Sequence, residues 1–177
     1  TIFTNQVGGV VNLNGSSVAP IQWATVATNK YFNNDGTLNK DFFSEPFQTL
    51  DPVFSNTGTV SVQGGTLSVP TFATNDGIIS VAADAIFSTG SFTNSYYWNS
   101  QIWVTGVLEG AGTIDVGAGT VTNDGIIAPG IAGGDTTGTL TITGNLVMGL
   151  YGGQLNFDLN STATGNYDVL NVAGTAD

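Results

Sequence analysis

Short runs of alternating apolar and polar residues recur along the chain, and each run begins with glycine. After the glycine comes Thr or Ile, and apolar residues then occupy every second position: GTVSV at 58–62, GTLSV at 65–69, GIISV at 77–81, GTIDV at 112–116 and GTLTI at 138–142. Such alternation is typical of a short strand with one buried face, and β-branched residues suit it. Because no segment keeps helical i, i+3, i+4, i+7 spacing for three turns, the pattern predicts an all-β protein.

The hexapeptide TNDGII occurs twice, at 74–79 and at 122–127. Asn-Asp-Gly is typical of a turn, and Ile-Ile begins an apolar run, so the hexapeptide predicts a corner followed by a strand. Related corners contain Asn34 and Asn56, and the tripeptide FTN at 3–5 and 92–94 is similar to them. The spacing of the corners indicates a repeat of about 19 to 24 residues.

Two all-β architectures fit such short strands. An antiparallel sandwich or jelly roll would have strands of about 5 to 8 residues joined by hairpin turns. A parallel β-helix, or β-solenoid, stacks its coils about 4.8 Å apart and places equivalent apolar residues above one another. The regular spacing favours a solenoid of about 7 to 8 coils. In it, the TNDGII copies should lie two coils apart, and either Ile78 with Ile126 or Ile79 with Ile127 should share an interior stack.

Residues 1–50 fit the repeat less well than residues 51–177. They contain both lysines of the chain, Lys30 and Lys40, and an aromatic stretch beside Pro46. The first coil of a solenoid must be covered. We therefore expect irregular N-terminal coils with a cap or lateral insertion in residues 1–50 and regular repeats in residues 51–177, within one structural domain.

Both ends of the chain are similar to interrupted coils. Their candidate assembly residues are Ile2, Phe3, Val10, Val11 and Leu13 at one end, and Leu170 and Val172 at the other. A terminal coil exposes unpaired backbone groups, and a heterologous contact that does not close generates a filament. Two interpretations stay open: the chain is excised from a longer rod, or copies join head to tail.

Charged residues are scarce, at 8% of the chain against an average of about 25%. Two basic and 13 acidic residues give a formal net charge of −11, which repels phosphate backbones and anionic membrane surfaces. No apolar run approaches the length of about 18 residues that a membrane helix needs. We expect neither a nucleic-acid partner nor membrane insertion. Because the sequence contains no Cys, disulfides and thiol chemistry are excluded.

Several stretches between residues 53 and 177 resemble the passenger repeats of autotransporters and of filamentous-haemagglutinin-like bacterial surface proteins. They are NTGTVSVQGGTLSV, LEGAGTIDVGAGTVTNDGIIAPG, GTLTITGNLVM and YDVLNVAGTAD. The resemblance implies a right-handed parallel β-helix outside the cell with a structural or adhesive role. Many functions share this style of repeat, so it implies fold and location more than activity. We expect a non-catalytic extracellular building block of a bacterial cell surface, without a cofactor.

A sugar-active enzyme is a further hypothesis, because solenoids of this type include polysaccharide-cleaving enzymes. Hydrolysis of sugars needs two carboxylates, and a lyase needs a basic residue. With no Arg and no His, a lyase would depend on Lys30 or Lys40, which we expect outside the regular repeats. Asp35, Asp76 and Asp124 lie in the corners, where each caps its own backbone or offers a carboxylate to sugar or metal.

Asp158 and Asp168 are weak calcium candidates. With the neighbouring asparagines they offer oxygen ligands of the kind that Ca²⁺ prefers. The sequence contains no GGxGxD run and no EF-hand spacing. We therefore predict no bound metal.

The stretch SYYWNSQIW at 95–103 is the most aromatic in the chain. Its candidate contact residues are Tyr96, Tyr97, Trp98 and Trp103. One interpretation is a stacking platform for glycan rings or a protein contact. In the other, Tyr97 or Trp98 covers a loop that leaves the coil while Ile102 and Val104 return to the core. A carbohydrate-binding surface module is therefore the alternative function.

Overall fold

A computed structural model describes residues 1–22, 30–42, 45–130, 137–161, 163 and 165–177. These residues form 22 strands and no helix, so nothing in the described part of the chain provides a helix that could cross a membrane. Most strands are three or four residues long. The short strands and the lack of helix in these ranges agree with the alternation in the sequence.

Three parallel sheets run along the molecule. The first contains β1 (Ile2–Asn5), β3 (Tyr31–Asn34), β6 (Val53–Asn56), β9 (Phe72–Asn75), β12 (Phe92–Asn94), β17 (Thr120–Asn123) and β20 (Asn145–Met148). The second contains β2 (Val10–Leu13), β4 (Thr37–Lys40), β7 (Thr59–Val62), β10 (Ile78–Val81), β15 (Val107–Gly110), β18 (Ile126–Pro129) and β21 (Gln154–Leu155). The third contains β5 (Phe47–Thr49), β8 (Thr66–Ser68), β11 (Ile86–Ser88), β16 (Thr113–Asp115), β19 (Thr139–Ile142) and β22 (Val169–Val172).

The chain visits the three sheets in turn, and each circuit is one coil. Coil one holds β1 and β2, coils two to four hold β3–β5, β6–β8 and β9–β11, coil five holds β12, β15 and β16, and coils six and seven hold β17–β19 and β20–β22. Each strand pairs in parallel with its equivalent in the next coil. The predicted β-solenoid is confirmed, and the parallel pairing contradicts the sandwich alternative.

The two TNDGII copies lie on the same edge of the solenoid, two coils apart. In the second sheet, Ile79 pairs with Leu108, and Leu108 pairs with Ile127. All three side chains are fully buried in one interior stack. The predicted stacking is therefore confirmed for Ile79 and Ile127, whereas Ile78 and Ile126 are only half-buried.

A column of phenylalanines fills the interior beside the first sheet. Its members are the buried Phe32, Phe54, Phe72 and Phe92, with the exposed Phe3 at the N-terminal end of the column. From Phe3 onward, successive ring centroids lie 5.0, 5.2, 5.7 and 5.4 Å apart. Aromatic rings at these separations attract one another in addition to burying apolar area. Equivalent positions of the coils thus carry equivalent contacts, as a solenoid requires.

The corner asparagines point into the solenoid and form a buried ladder. Its members are Asn5, Asn34, Asn56, Asn75, Asn94 and Asn123. Each Nδ2 donates to Oδ1 of the next asparagine at 2.7–2.9 Å, across sequence separations of 29, 22, 19, 19 and 29 residues. Each Nδ2 also donates to a backbone carbonyl of the next coil at 3.0–3.3 Å. The ladder ends at Met148, whose Sδ lies 3.9 Å from Nδ2 of Asn123.

The corner glycines are required by the closeness of adjacent coils. A Cβ added to Gly58 would overlap the carbonyl oxygen of Gly36, and one added to Gly77 would overlap that of Gly58. Neither Gly58 nor Gly77 has a positive φ. The prediction that Asn-Asp-Gly marks the corner is correct, but contact with the preceding coil, not a left-handed turn, explains the glycine.

Residues 1–50 contribute strands to the same sheets as the rest of the chain. The strands β1 to β4 pair in register with later coils, and Ile21 forms an isolated bridge with Leu50. Residues 23–29 and 43–44 lie outside the described residues. The proposed division at residue 50 stays a prediction.

Lys40 lies inside the solenoid, which corrects the expectation that it is outside the regular repeats. In β4 it occupies the interior stack between Leu13 and Val62 and is fully buried. Its Nζ donates to the carbonyl oxygen of Asp41 at 3.2 Å. Burial lowers the pKa of Lys40, and the carboxylates of Asp41 and Glu45 oppose that shift.

Candidate functional site

The aromatic stretch forms a β-hairpin that leaves the solenoid at a corner of coil five. Its strands are β13 (Tyr96–Asn99) and β14 (Ile102–Thr105), which pair antiparallel with Trp98 opposite Trp103. The backbone N–H of Gly106 donates to the carbonyl oxygen of Ser95 at 2.7 Å and closes the base of the hairpin. This insertion accounts for the long separation between Asn94 and Asn123 in the ladder.

Three aromatic side chains share one face of the hairpin. Tyr96 and Trp103 stack with centroids 4.9 Å apart and an interplanar angle of 3°, and Trp98 contacts Trp103 at 5.1 Å and 57°. Trp98 is 53% exposed and Trp103 is 59% exposed. Ile102 is 63% exposed and Val104 is half-buried. The alternative in which Ile102 returns to the core is therefore wrong.

The base of the hairpin is tied to coil four through Asp76. Ser95 Oγ donates a short hydrogen bond to Oδ1 of Asp76, and the Tyr97 hydroxyl donates a long one, at 3.5 Å, to Oδ2. Partial burial raises the pKa of Tyr97, and the Asp76 carboxylate adds to that shift because it disfavours a second negative charge. Because its hydrogen bond is shorter, the Ser95 hydroxyl makes the stronger of the two contacts between the hairpin and Asp76.

An open cleft of about 560 Å³ lies beside the hairpin. The described residues that line it are all aromatic: Tyr96, Tyr97, Trp98, Trp103 and Tyr151. Tyr151 comes from the segment between β20 and β21 in coil seven and is 72% exposed. Sequence reasoning missed Tyr151, because only the stacking of coils brings that segment next to the hairpin.

A second, more polar cleft of about 180 Å³ adjoins the first. Both clefts share Tyr96 and Tyr151. The side chains of Thr105, Asp124 and Gln154 add hydroxyl, carboxylate and amide groups to the second cleft. Oδ1 of Asp124 accepts the backbone N–H of Tyr151 at 3.0 Å, which fixes the Tyr151 segment beside the hairpin.

The corner aspartates bond to the following coil. Asp35 Oδ1 accepts the Thr57 hydroxyl at 2.7 Å, and Asp76 and Asp124 accept the Ser95 and Tyr151 donors described above. Equivalent corner positions read Asp35, Thr57, Asp76, Ser95 and Asp124 along successive coils. Because hydroxyl residues alternate with aspartates, like charges are not stacked at the coil spacing of about 4.8 Å. The sequence predicted that each aspartate caps its own backbone, but the observed partners of these carboxylates lie in the following coil.

Asp168 has a structural partner at each carboxylate oxygen. The side chain is buried, its Oδ1 accepts the backbone N–H of Gly138 at 2.7 Å, and its Oδ2 accepts that of Asp158 at 2.8 Å. Among the described residues, no group of three or more His, Cys, Asp or Glu side chains could hold a metal ion. Of the two weak calcium candidates, the Asp168 carboxylate therefore joins two backbone segments, and Asp158 contributes its backbone N–H to that contact.

The candidate assembly residues differ in exposure. Ile2, Phe3 and Val10 are exposed, and Leu13 is buried in the core. Val11, Leu170 and Val172 are half-buried and pack against the core. The strands β1 and β2 lie at one edge of their sheets, and β21 and β22 lie at the opposite edge of theirs. The Leu13 side chain stabilises its own coil and is not presented to a partner.

A scan against protein-family models finds no match, and searches of curated proteins and of solved structures also find none. The parallel strands stacked in three sheets agree with a β-helix-like repeat protein. The resemblance to autotransporter and haemagglutinin-like repeats is therefore supported at the level of fold, and membership of either family stays a prediction.

Proposed function

We propose that this chain is a non-catalytic extracellular β-solenoid of a bacterial cell surface and that it acts as an adhesive building block. The observation that carries the proposal is the hairpin, which holds Trp98 and Trp103 outside the core on a rigid support. Exposed aromatic side chains that cluster on a monomer's surface mark contact sites. Tyr and Trp also dominate the binding energy of many interfaces.

The support beneath the hairpin is well bonded. On one side of the hairpin, the Ser95 N–H donates to the Asn75 carbonyl at 3.0 Å, and on the other, the Val107 N–H donates to the Gly77 carbonyl at 2.8 Å. Both acceptors belong to coil four. A contact surface fixed in this way loses little conformational entropy when it binds, which favours affinity.

The arrangement of the carboxylates supports binding over cleavage. Cleavage of a glycosidic bond generally needs two carboxyl groups about 5 to 9.5 Å apart. Among the described side chains that line the two clefts, only Asp124 carries a carboxylate, and Asp76 is engaged by Ser95 and Tyr97 at the base of the hairpin.

An array of immobilised glycans and extracellular matrix proteins tests the adhesive function. We expect saturable binding by the wild-type chain and at least about tenfold weaker binding by the double variant Trp98→Ala, Trp103→Ala. Tyr31→Ala is the matched control, because Tyr31 is an exposed aromatic residue in coil two. Binding that the double variant retains in full, or an array without any saturable signal, would leave the chain with a purely structural role.

Self-assembly is a second candidate function, favoured by the exposed Ile2 and Val10 on the edge strands β1 and β2. Lysines on an edge strand oppose pairing with another strand. We expect the wild-type chain to sediment as larger species as its concentration and the salt concentration rise, because salt screens the charge of −11 per copy. The double variant Ile2→Lys, Val10→Lys should stay monomeric.

Val18→Lys is the control for this sedimentation experiment, since Val18 is equally exposed but lies outside the strands. These substitutions are more informative than deletion of residues 1–13, which would also remove the buried Asn5 and Leu13. A wild-type chain that stays monomeric at every concentration and salt would contradict head-to-tail assembly.

A further inference from the structure

We infer that the two clefts beside the hairpin form one site for an uncharged glycan chain. One sugar ring lies against the aromatic wall of Trp98, Trp103 and Tyr151, and the hydroxyls of the next sugar bind in the polar cleft. The inference rests on the proposed adhesive function and names the ligand class of that surface. It adds Tyr151, Asp124 and Gln154 to the residues of the hairpin.

The geometry fits an extended ligand. The aromatic cleft and the polar cleft share Tyr96 and Tyr151 and are therefore adjacent. Their linings come from coils five, six and seven. A ligand that fills both clefts must combine a flat apolar part with polar groups at one end, and it contacts several coils at once.

A sugar has this combination of surfaces. The C–H groups on one side of a pyranose ring are apolar and pack on the face of an aromatic ring, while its hydroxyls both donate and accept hydrogen bonds. In the polar cleft, Oδ1 of Asp124 accepts the backbone N–H of Tyr151. Oδ2 has no donor among the described residues and can accept a hydrogen bond from a sugar hydroxyl. The exposed Gln154 amide supplies both a donor and an acceptor.

The charge of the site selects an uncharged glycan over an acidic one. Asp124 is the charged residue of the lining, and the two lysines of the chain belong to coil two. A uronic acid or a phosphorylated sugar would meet a carboxylate without a compensating cation. Such like-charge contact is unfavourable, and the overall charge of −11 adds to the repulsion.

The ring geometry favours a sugar over an organic cation. An aromatic cage for a cation needs ring faces that converge on a central point. Tyr96 and Trp103 instead lie parallel, 4.9 Å apart, so each turns one face to the other. The outer ring face that this stacked pair leaves open is flat and suits one pyranose ring, and the neighbouring Trp98 ring is inclined by 57° to Trp103.

Titrations with defined oligosaccharides test this inference. The probes are uncharged gluco-, manno-, galacto-, xylo- and chito-hexaoses, anionic hexagalacturonate, and tetramethylammonium, with binding followed by calorimetry and tryptophan fluorescence. We expect saturable binding of at least one uncharged hexaose and no binding of hexagalacturonate. Tyr151→Ala should weaken that binding about tenfold or more, and Asp124→Asn about fivefold. The matched control Tyr31→Ala should leave it within about twofold.

The two variants at the site are expected to fold, because Tyr151 is exposed and Asn at position 124 can still accept the Tyr151 N–H. Unchanged circular dichroism checks this. Binding of hexagalacturonate or tetramethylammonium alone, no binding of any uncharged hexaose, or equal affinity of Tyr151→Ala and wild type would each overturn the inference. The adhesive function is judged separately, by loss of array binding in the Trp98→Ala, Trp103→Ala variant.

Discussion

Replacement of Gly77 by alanine should lower the free energy of unfolding by about 3 kcal/mol or more. The new Cβ would overlap the carbonyl oxygen of Gly58 in the preceding coil. That oxygen also accepts the backbone N–H of Ile78 at 2.8 Å. Coils three and four would have to separate to admit the methyl group, and separation would weaken the hydrogen bonds between β7 and β10.

Gly90→Ala provides the matched control for this substitution. A Cβ at Gly90 has no neighbour within 4 Å, and its φ is not positive. The same chemical change should therefore be neutral or stabilise the fold by up to about 1 kcal/mol, because alanine restricts the unfolded chain. Urea unfolding of both variants measures the difference. Equal stabilities would show that the contact between adjacent coils does not require glycine at position 77.

The architecture could be predicted because the alternation within each strand and the recurrence of the corners both indicate a solenoid. The alternation in GIISV at 77–81 gives the strand and its buried face, and the second TNDGII gives the period. Together they predict that either Ile78 with Ile126 or Ile79 with Ile127 shares an interior stack, and the structure confirms the second pair. The contacts of a solenoid can be predicted from its sequence period, since each coil contacts mainly its neighbours and equivalent residues lie next to one another.

The roles of the corner residues could not be predicted from the corner alone. Asn-Asp-Gly has the composition of an ordinary turn, and a turn explains its residues without reference to any other coil. The actual partners lie one coil away: Asn75 bonds to Asn56 and Asn94, and Gly77 contacts Gly58. Only the stacking of coils at close spacing shows why each residue is needed.

The expectation that Lys40 lies outside the regular repeats follows from the poor fit of residues 1–50 to the repeat, and it is wrong because the alternation within β4 includes Lys40. In the sequence TLNK at 37–40, the period of two already puts Lys40 on the same side as the buried Leu38. A lysine is rarely fully buried, and its flexible stem lets it follow apolar surface. The register between β2, β4 and β7 nevertheless fixes Lys40 in the interior.

The candidate site was predicted in part. The aromatic stretch marked Tyr96, Trp98 and Trp103, and the structure brings these three together on one face of the hairpin. Tyr151, in coil seven, carries no signal in the sequence, and Asp124, in coil six, is predicted only as a corner carboxylate with no link to the aromatic stretch. Their proximity depends on insertions of irregular length, which no local pattern encodes.

Loss of the Asn75 side chain should be the second large effect. Asn75 accepts Nδ2 of Asn56 at 2.9 Å and donates to Oδ1 of Asn94 at 2.9 Å. Asn75→Ala would leave Nδ2 of Asn56 and Oδ1 of Asn94 without their partner in the buried ladder. We expect the free energy of unfolding to fall by about 3 to 5 kcal/mol. Urea unfolding checks this against Asn39→Ala, whose outward-facing bond to Asn12 is exposed and should contribute under about 1 kcal/mol.

Asn75→Asp distinguishes hydrogen bonding in the ladder from simple filling of space. An ionised aspartate at this position still accepts a hydrogen bond from Nδ2 of Asn56. It cannot donate to Oδ1 of Asn94, and its negative charge is buried. Burial raises the pKa of such a carboxyl in the folded state above its unfolded value. Stability relative to the wild type should therefore recover as the pH falls through the raised pKa, because the protonated acid donates to Asn94. A deficit that stays constant from pH 7 to pH 4 would mean that the polarity of the ladder does not stabilise the fold.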